Sequence, residues 1–154
     1  MAKRWKPNVT VAAVIERQGR YLLVEEDTAD GLRLNNPAGH LDRGESPVQG
    51  CVRETLEETA HHFSPTALVG IYLARTRQPE DITYLRFAFT GTLGAFEPAR
   101  PLDHGIVRTL WMTIDEIRAS VARHRSPLVL QGVEDHAAGK RYPLELVRID
   151  PSVI

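Results

Sequence analysis

The sequence predicts an α/β fold in which a mixed β-sheet is sandwiched between helices (α/β/α). Apolar runs rich in β-branched and aromatic residues precede a well-capped helix, and further strand-like runs follow it. Two more helices with capping signals come late in the chain, which places helices on both sides of the sheet. Because 154 residues can bury a core of useful size, we expect one domain over residues 1–154.

The first half of the chain is predicted to be mostly extended. Two apolar runs are predicted as adjacent strands joined by a tight turn at Gln18-Gly19, namely NVTVAAVIER and GRYLLVEED. The first run barely alternates between apolar and polar residues, which is typical of a strand buried on both faces. A short extended piece, LRLNNPAG, stops at Pro37 and Gly39, and a helix over about 47–60 comes next.

The second half is predicted to contain three strands, a loop and two helices. The strands are ALVGIYLARTR, DITYLRFAFTGTL and GIVRTLWM, and the proline-containing loop FEPARPLDH precedes the third. Thr113 followed by Glu116 is a capping box that predicts a helix in TIDEIRASVARH. Ser126 as N-cap, Pro127 at the first helical position and Gly139 past the end predict another helix. YPLELVRI is predicted as a final extended stretch.

Charge and cysteine content exclude several classes of protein. The formal net charge of −1 gives no electrostatic reason to expect nucleic-acid or membrane binding. No apolar run reaches the roughly 18 residues of a membrane span. A single cysteine, Cys51, excludes an intramolecular disulfide, and its apolar neighbours predict an inert core thiol. We therefore expect a cytoplasmic enzyme or binding domain.

The helix near residues 47–60 gathers three carboxylates on one face. Ser46 and Gln49 form a capping box at its start. With roughly 100° between successive residues, Glu54, Glu57 and Glu58 fall within an arc of about 100°, away from the apolar face. Like charges at this spacing destabilise a helix by roughly a few tenths of a kcal/mol per pair. The crowding therefore calls for a physical explanation.

A divalent cation would remove this repulsion. Mg²⁺ takes oxygen ligands and combines a few carboxylates with water and substrate phosphates. The alternative is a solvated acidic face with Arg53 as partial counter-ion. The segment before the helix favours the cation, because Gly39 and Gly44 allow a close backbone approach and Glu45 can bridge to Arg53.

Residues 39–61 resemble the Nudix box, G-x5-E-x7-R-E-U-x-E-E-x-G-U, in which U is a bulky aliphatic residue. Thr55 and His61 depart from the two aliphatic positions. Ala60 replaces the last glycine, which predicts either an altered helix exit or a helix that runs on. Over most of its length the chain also resembles the NudJ-type Nudix phosphatase group, with RSPLV…GKRYPLE as the most informative segment. The box positions that match are Gly39, Glu45, Arg53, Glu54, Glu57 and Glu58.

The resemblance implies the Nudix fold and a metal-dependent hydrolase of phosphoric anhydride bonds. Nucleoside di- and triphosphates would release phosphate, as would the pyrophosphorylated hydroxymethylpyrimidine precursor of thiamine. The substrate is expected to be a small molecule, and the chain a monomer or homodimer without nucleic-acid or membrane partners. Arg53 would orient a ligand glutamate with support from Glu45, and Gly39 would let the loop wrap the metal. The implied ligands of Mg²⁺ or Mn²⁺ are Glu54, Glu57 and Glu58.

The general base and the substrate contacts are less closely defined by the motif. Glu57 can serve as the base if ligation uses mainly the other two glutamates, and Asp103 is a distal candidate, with Glu97 and His104 behind it. Each of these also suits an ordinary surface position. The candidate substrate contacts are His40, Arg75, Arg86 and the segment 140–145, with Tyr84, Phe87 or Trp111 as stacking partners.

The sequence is also compatible with two other functions. One is a pyrophosphatase for another nucleoside-diphosphate-linked compound, such as a nucleotide sugar or dinucleoside polyphosphate. The other is a non-catalytic domain that senses a nucleotide. The presence of every box carboxylate and the lack of an additional domain favour the enzyme.

Overall fold

The computed structural model describes residues 2–154, in which two β-sheets carry helices on both faces. The strands are β1 Asn8–Ala13, β2 Glu16–Arg17, β3 Arg20–Thr28, β4 Gly31–Asn35, β5 Ala38–His40, β6 His61–Thr76, β7 Ile82–Phe96 and β8 Ile106–Thr113. The α-helices are α1 Pro47–Thr59, α2 Ile114–Ala119 and α3 Leu128–Ala137, and short 3₁₀ turns lie at Val121–Arg123, Leu144–Leu146 and Pro151–Val153.

The first sheet is mixed and the second is antiparallel. In the first sheet the order is β5-β1-β7-β6, with β1 parallel to β7 and the other pairs antiparallel. In the second sheet β3 pairs with β2, β4 and β8. The mixed sheet with flanking helices confirms the predicted α/β class. A separate second sheet was not predicted, because β8 joins β3 from a distant part of the chain, which local patterns do not report.

The prediction that the first two apolar runs are adjacent strands joined by a tight turn is confirmed for the end of the first run and wrong for its start. The first run divides, so that β1 joins the mixed sheet while β2 pairs with β3 across the turn at Gln18-Gly19. Both turn residues have positive φ, 52° for Gln18 and 79° for Gly19, as a two-residue hairpin turn requires. Val14 and Ile15, between the two pieces, are almost fully buried, and they carry the chain from one sheet to the other.

The prediction that β1 is buried on both faces is confirmed, and it explains how the helices are arranged. Alternate residues of β1 contact two different apolar clusters. One cluster lies on the α1 side of the mixed sheet and includes Val11, Ala13, Leu22, Cys51 and Phe89. The other lies on the α2 and α3 side and includes Ala12, Leu34, Ile117, Val129 and Val133.

Helix α1 begins as predicted. At its end neither the altered exit nor the longer helix that Ala60 predicted is present. Ser46 Oγ accepts a hydrogen bond from Gln49 N at 3.1 Å, which completes the capping box. The helix ends at Thr59, and Ala60 takes the left-handed conformation with φ of 60°. Alanine thus adopts the conformation that glycine would, at a cost of about 1 kcal/mol. The tight exit lets β6 begin at His61, before the predicted strand start.

The late helices form with small shifts in their boundaries. The capping box of Thr113 and Glu116 is present at α2. At α3 the helix starts at Leu128, one residue later than predicted, with Pro127 at the capping position. Ser126 Oγ still accepts a hydrogen bond from Leu128 N at 3.2 Å. No helix in residues 2–154 is long and apolar enough to cross a membrane.

Two extended predictions need correction. The piece LRLNNPAG forms two strands that belong to different sheets, and Gly39 lies inside β5 rather than at its end. The segment YPLELVRI is largely not extended, because residues 144–146 form a 3₁₀ turn. Only Tyr142, at its start, forms a bridge, with Leu68 of β6.

The position of Cys51 yields a test of the core on the α1 side. Its thiol is buried and donates a hydrogen bond to the Ala12 carbonyl at 3.4 Å, and burial raises the pKa of Cys51 to about 12. Because the thiolate is the reactive form, we expect Ellman's reagent to leave the native protein unlabelled. One thiol per chain should react once guanidinium unfolds it. Rapid labelling of the folded protein would contradict this packing.

Candidate active site

A cavity of about 590 Å³ is lined by residues of both sheets, of α1 and of several loops. One part of its wall is acidic, and another part carries cations and amides. The acidic part includes Glu26, Glu54, Glu58 and Asp103, and the cationic and amide part includes Arg33, Asn35, Arg86 and Arg125.

Arg53 holds the acidic side chains of α1 in place. Its Nε and Nη2 donate to both oxygens of Glu45, at 3.0 and 2.7 Å. Its Nη1 donates to Glu54 at 2.8 Å and to Glu57 at 3.2 Å. Its Nη2 also donates to the His40 carbonyl at 3.0 Å. The predicted bridge between Glu45 and Arg53 is therefore present, and it fixes the loop before α1 to the helix.

The backbone of β5 makes room for two of the glutamates. A Cβ on Gly39 would overlap the carboxylate of Glu54, so that carboxylate packs directly against the strand. Glu58 Oε1 accepts a hydrogen bond from Ala38 N at 2.9 Å. Burial raises the pKa of Glu58 to about 9, and it also raises the pKa of Glu54, although Arg53 partly opposes the latter shift.

The third box glutamate and the distal base candidates occupy different positions. Glu57 is directed toward Arg53 and is absent from the cavity wall in the described chain. Asp103 lines the cavity, and its N–H donates to the Glu57 carbonyl at 2.8 Å, which attaches its loop to α1. His104 also lines the cavity. Glu97 is paired with His62 at 2.6 Å instead and lies outside the cavity lining.

The donor set suits a hard divalent cation. Within residues 2–154 no three acidic, histidine or cysteine side chains converge on one point. Glu54 and Glu58 are nevertheless both buried, and the negative charge of Glu54 adds to burial in raising the pKa of Glu58. Carboxylate oxygens are the ligands that Mg²⁺ takes, so these residues fit such an ion.

The predicted substrate contacts divide into two groups. Arg86 and His40 line the cavity, and Arg86 is only 7% exposed. Arg75 is absent from the described cavity wall. Its exposed side chain pairs with Asp81 at 2.7 Å near the C-terminal end of β6. The structure therefore gives no positional support to a substrate contact by Arg75. The segment 140–145 is likewise absent from the lining.

The three aromatic candidates for stacking differ in where their side chains lie. Tyr84 lines the cavity. Phe87 and Trp111 pack against the apolar cluster on the α1 side, and the Arg17 guanidinium lies 4.3 Å from the Trp111 ring centroid. Among these aromatics only Tyr84 is placed to contact a bound molecule.

Sequence reasoning missed several polar residues of the cavity. Glu26 is buried at the end of the apolar strand β3, pairs with Arg125 and accepts a hydrogen bond from Asn35. Asn35 and Asn36 also accept from Arg86, at 3.3 and 3.2 Å. A signal was present, since two glutamates directly after YLLV must either be exposed or find partners when the strand is buried.

Comparison with known proteins identifies the family. A family model described as the NUDIX domain matches residues 4–131. The chain is 37% identical over 144 residues to Phosphatase NudJ of Escherichia coli (strain K12), covering 93% of this chain and 92% of that protein. A solved Nudix hydrolase from Nitrosomonas europaea is 55% identical with a TM-score of 0.90, covering 94% of this chain and 98% of that one.

More distant structures share the fold alone. The Nudix domain of Shewanella oneidensis NrtR, solved with ADP ribose, is 17% identical with a TM-score of 0.67 and covers 88% of this chain and 90% of that one. The full-length match to NudJ and the structural match from Nitrosomonas europaea agree with the box geometry around Arg53. The chain belongs to the Nudix hydrolase family, whose members generally use divalent metal ions, and it is a hydrolase acting on phosphoric anhydride bonds.

Proposed function

We propose that the protein is a Mg²⁺-dependent Nudix phosphatase, with Mn²⁺ as an alternative metal. It releases phosphate from nucleoside di- and triphosphates and accepts hydroxymethylpyrimidine pyrophosphate. The observation that carries this proposal is the cavity in which buried Glu54 and Glu58 lie in the same wall as buried Arg86. Similarity to Phosphatase NudJ over 93% of the chain supports the phosphatase type. We further propose one Nudix domain over residues 1–154, acting in the cytoplasm as a monomer or homodimer without nucleic-acid or membrane partners.

Glu54 and Glu58 would hold the metal from the cavity wall. Glu57, which shares Arg53 Nη1 with Glu54, would be the third ligand. When bound, the ion supplies charge neutralisation at the phosphate oxygens and acidifies a water. Arg53 keeps Glu54 and Glu57 oriented through its Nη1. Gly39 leaves the space that the Glu54 carboxylate occupies.

Asp103 is the stronger candidate for the general base. It lines the cavity, whereas Glu57 is directed toward Arg53. Asp103 would accept the proton of a water whose oxygen bonds to the terminal phosphorus. The bond from that phosphorus to the bridging oxygen breaks, the shortened nucleotide departs with this oxygen, and inorganic phosphate is the other product. Arg86 contributes positive charge on the same cavity wall, where it stabilises the charge that develops on the phosphoryl oxygens.

Product analysis tests the reaction type directly. With Mg²⁺ and a nucleoside triphosphate, we expect inorganic phosphate and the nucleoside diphosphate, followed by the monophosphate. Nucleotide sugars and dinucleoside polyphosphates should be turned over more slowly. Monophosphate and pyrophosphate as the main products from a triphosphate would contradict the phosphatase type and favour the other pyrophosphatases.

Substitution of the box glutamates tests the assigned metal ligands. We expect Glu58→Gln to lower kcat about 100-fold and Glu57→Gln at least about tenfold, because each removes charge that the transition state needs. Glu134→Gln is the matched control, since Glu134 lies on α3 and pairs with Arg118 at the surface. Full hydrolysis by both box variants would contradict the site, and wild-type protein that binds nucleotide without turnover would favour the sensor.

Replacing Gly39 tests whether the placement of Glu54 matters. A methyl group at Gly39 must displace the flexible end of the Glu54 side chain, so we expect Gly39→Ala to keep its fold and melting temperature. Because a misplacement of about 1 Å can cost 100-fold in rate, kcat/KM should fall by about that factor. In the control Gly132→Ala the new methyl lies 3.4 Å from Val14, and activity should be retained. An active Gly39→Ala enzyme would show that this contact is dispensable.

A further inference from the structure

Two polar atoms in the cavity wall are buried without any hydrogen-bond partner in the described part of the chain. They are Thr10 Oγ1 on β1 and Arg86 Nε on β7. Thr10 is 5% exposed and Arg86 is 7% exposed, and both residues line the cavity. A buried hydroxyl or N–H without a partner costs roughly 1–3 kcal/mol, so two of them in one cavity indicate that the wall is built to receive a ligand.

The two atoms belong to one surface. Strands β1 and β7 are parallel neighbours, and Thr10 lies directly opposite Arg86 in their register. Opposed residues on paired strands project from the same face of the sheet. The hydroxyl of Thr10 and the guanidinium of Arg86 therefore lie side by side, on the face that also carries Tyr84.

The other nitrogens of Arg86 are already engaged. Nη1 donates to Asn36 Oδ1 and Nη2 donates to Asn35 Oδ1. Both acceptors are neutral amides, so they fix the orientation of the guanidinium without neutralising its charge. No carboxylate in residues 2–154 forms an ion pair with Arg86, and the nearby carboxylate of Glu26 pairs with Arg125 instead. Burial lowers the pKa of Arg86 to about 10, as expected for a desolvated cation.

An anionic oxygen would satisfy both partnerless atoms. The Thr10 hydroxyl donates one hydrogen bond and Arg86 Nε donates another. In residues 2–154 Glu26 and Glu58 act on the Arg86 charge only from a distance, so the guanidinium favours a negative acceptor in direct contact. Glu54 and Glu58 line the same cavity. A molecule with two phosphoryl groups carries two anionic centres, one for a metal held at the glutamates and one for the strand pair.

We propose that Thr10 Oγ1 and Arg86 Nε form an anion subsite that binds a phosphoryl oxygen of the substrate directly, and that Thr10 is a specificity-determining residue for diphosphates. The proposal rests on the proposed function for the nature of the substrate. Binding of the anion itself requires neither metal nor turnover. The anion subsite and the proposed function can therefore be contradicted by different experiments.

Binding of inorganic pyrophosphate to metal-free protein in EDTA, measured by calorimetry, tests the subsite. We expect Thr10→Val to weaken binding about tenfold, the loss of one hydrogen bond to a charged group. Because the substitution also removes a buried hydroxyl without a partner, the melting temperature should stay equal or rise. Thr10→Ser keeps the hydroxyl and should bind within about threefold of wild type.

A matched control and a kinetic readout separate the subsite from a structural role. Thr90→Val makes the same change at a buried threonine of β7 outside the cavity lining, and its dissociation constant should equal that of wild type. With Mg²⁺ and a nucleoside diphosphate, Thr10→Val should raise KM more than it lowers kcat. Unchanged pyrophosphate binding by Thr10→Val, or no binding by wild type, overturns the subsite. Wild type that binds pyrophosphate but hydrolyses no diphosphate overturns the proposed function and leaves the subsite standing.

Discussion

The guanidinium of Arg53 connects the loop before α1, the helix itself and strand β5. It binds Glu45 through two nitrogens, reaches Glu54 and Glu57 through the third, and also holds the His40 carbonyl. Charge-assisted bonds of this fork geometry are about twice as strong as neutral ones and fix direction as well as distance. Since the loop, the strand and two carboxylates of α1 share one cation, the placement of Glu54 and Glu57 against the loop and β5 depends on this side chain.

The cavity contains buried carboxyl groups and a buried guanidinium that form no ion pair with one another in residues 2–154. Glu54 and Glu58 are buried together against β5, where burial raises both of their pKa values. Arg86 is buried with neutral amide partners. A complex of a divalent cation with a diphosphate presents positive charge to the glutamates and negative charge to Arg86, so one ligand can satisfy both parts of the wall. Ligand binding thereby offsets the free-energy cost of burying these ionisable groups.

Features set by neighbours in sequence were predictable, and features set by strand pairing were not. The capping box, the carboxylate face of α1 and the Glu45 bridge follow from spacings of three to eight residues. Arg75 and Arg86 look alike in the sequence, yet only Arg86 faces the cavity, because bulges in β6 and the register of β7 decide which side chains project inward. The opposition of Thr10 and Arg86 joins residues far apart in the chain. Ala60 shows that tertiary packing can impose a glycine-like conformation on another residue.

We infer that the fork geometry of Arg53, rather than its charge alone, positions Glu54 and Glu57 as ligands of a cation site. Calorimetric titration of Mn²⁺ into wild type and Arg53→Lys tests it most directly, because lysine keeps the charge and loses the planar fork. We predict that Arg53→Lys weakens metal affinity at least about tenfold, the loss of one charge-assisted hydrogen bond, while the protein remains folded. Equal or tighter binding by Arg53→Lys would contradict the account, since it would show that Arg53 serves only as a counter-charge.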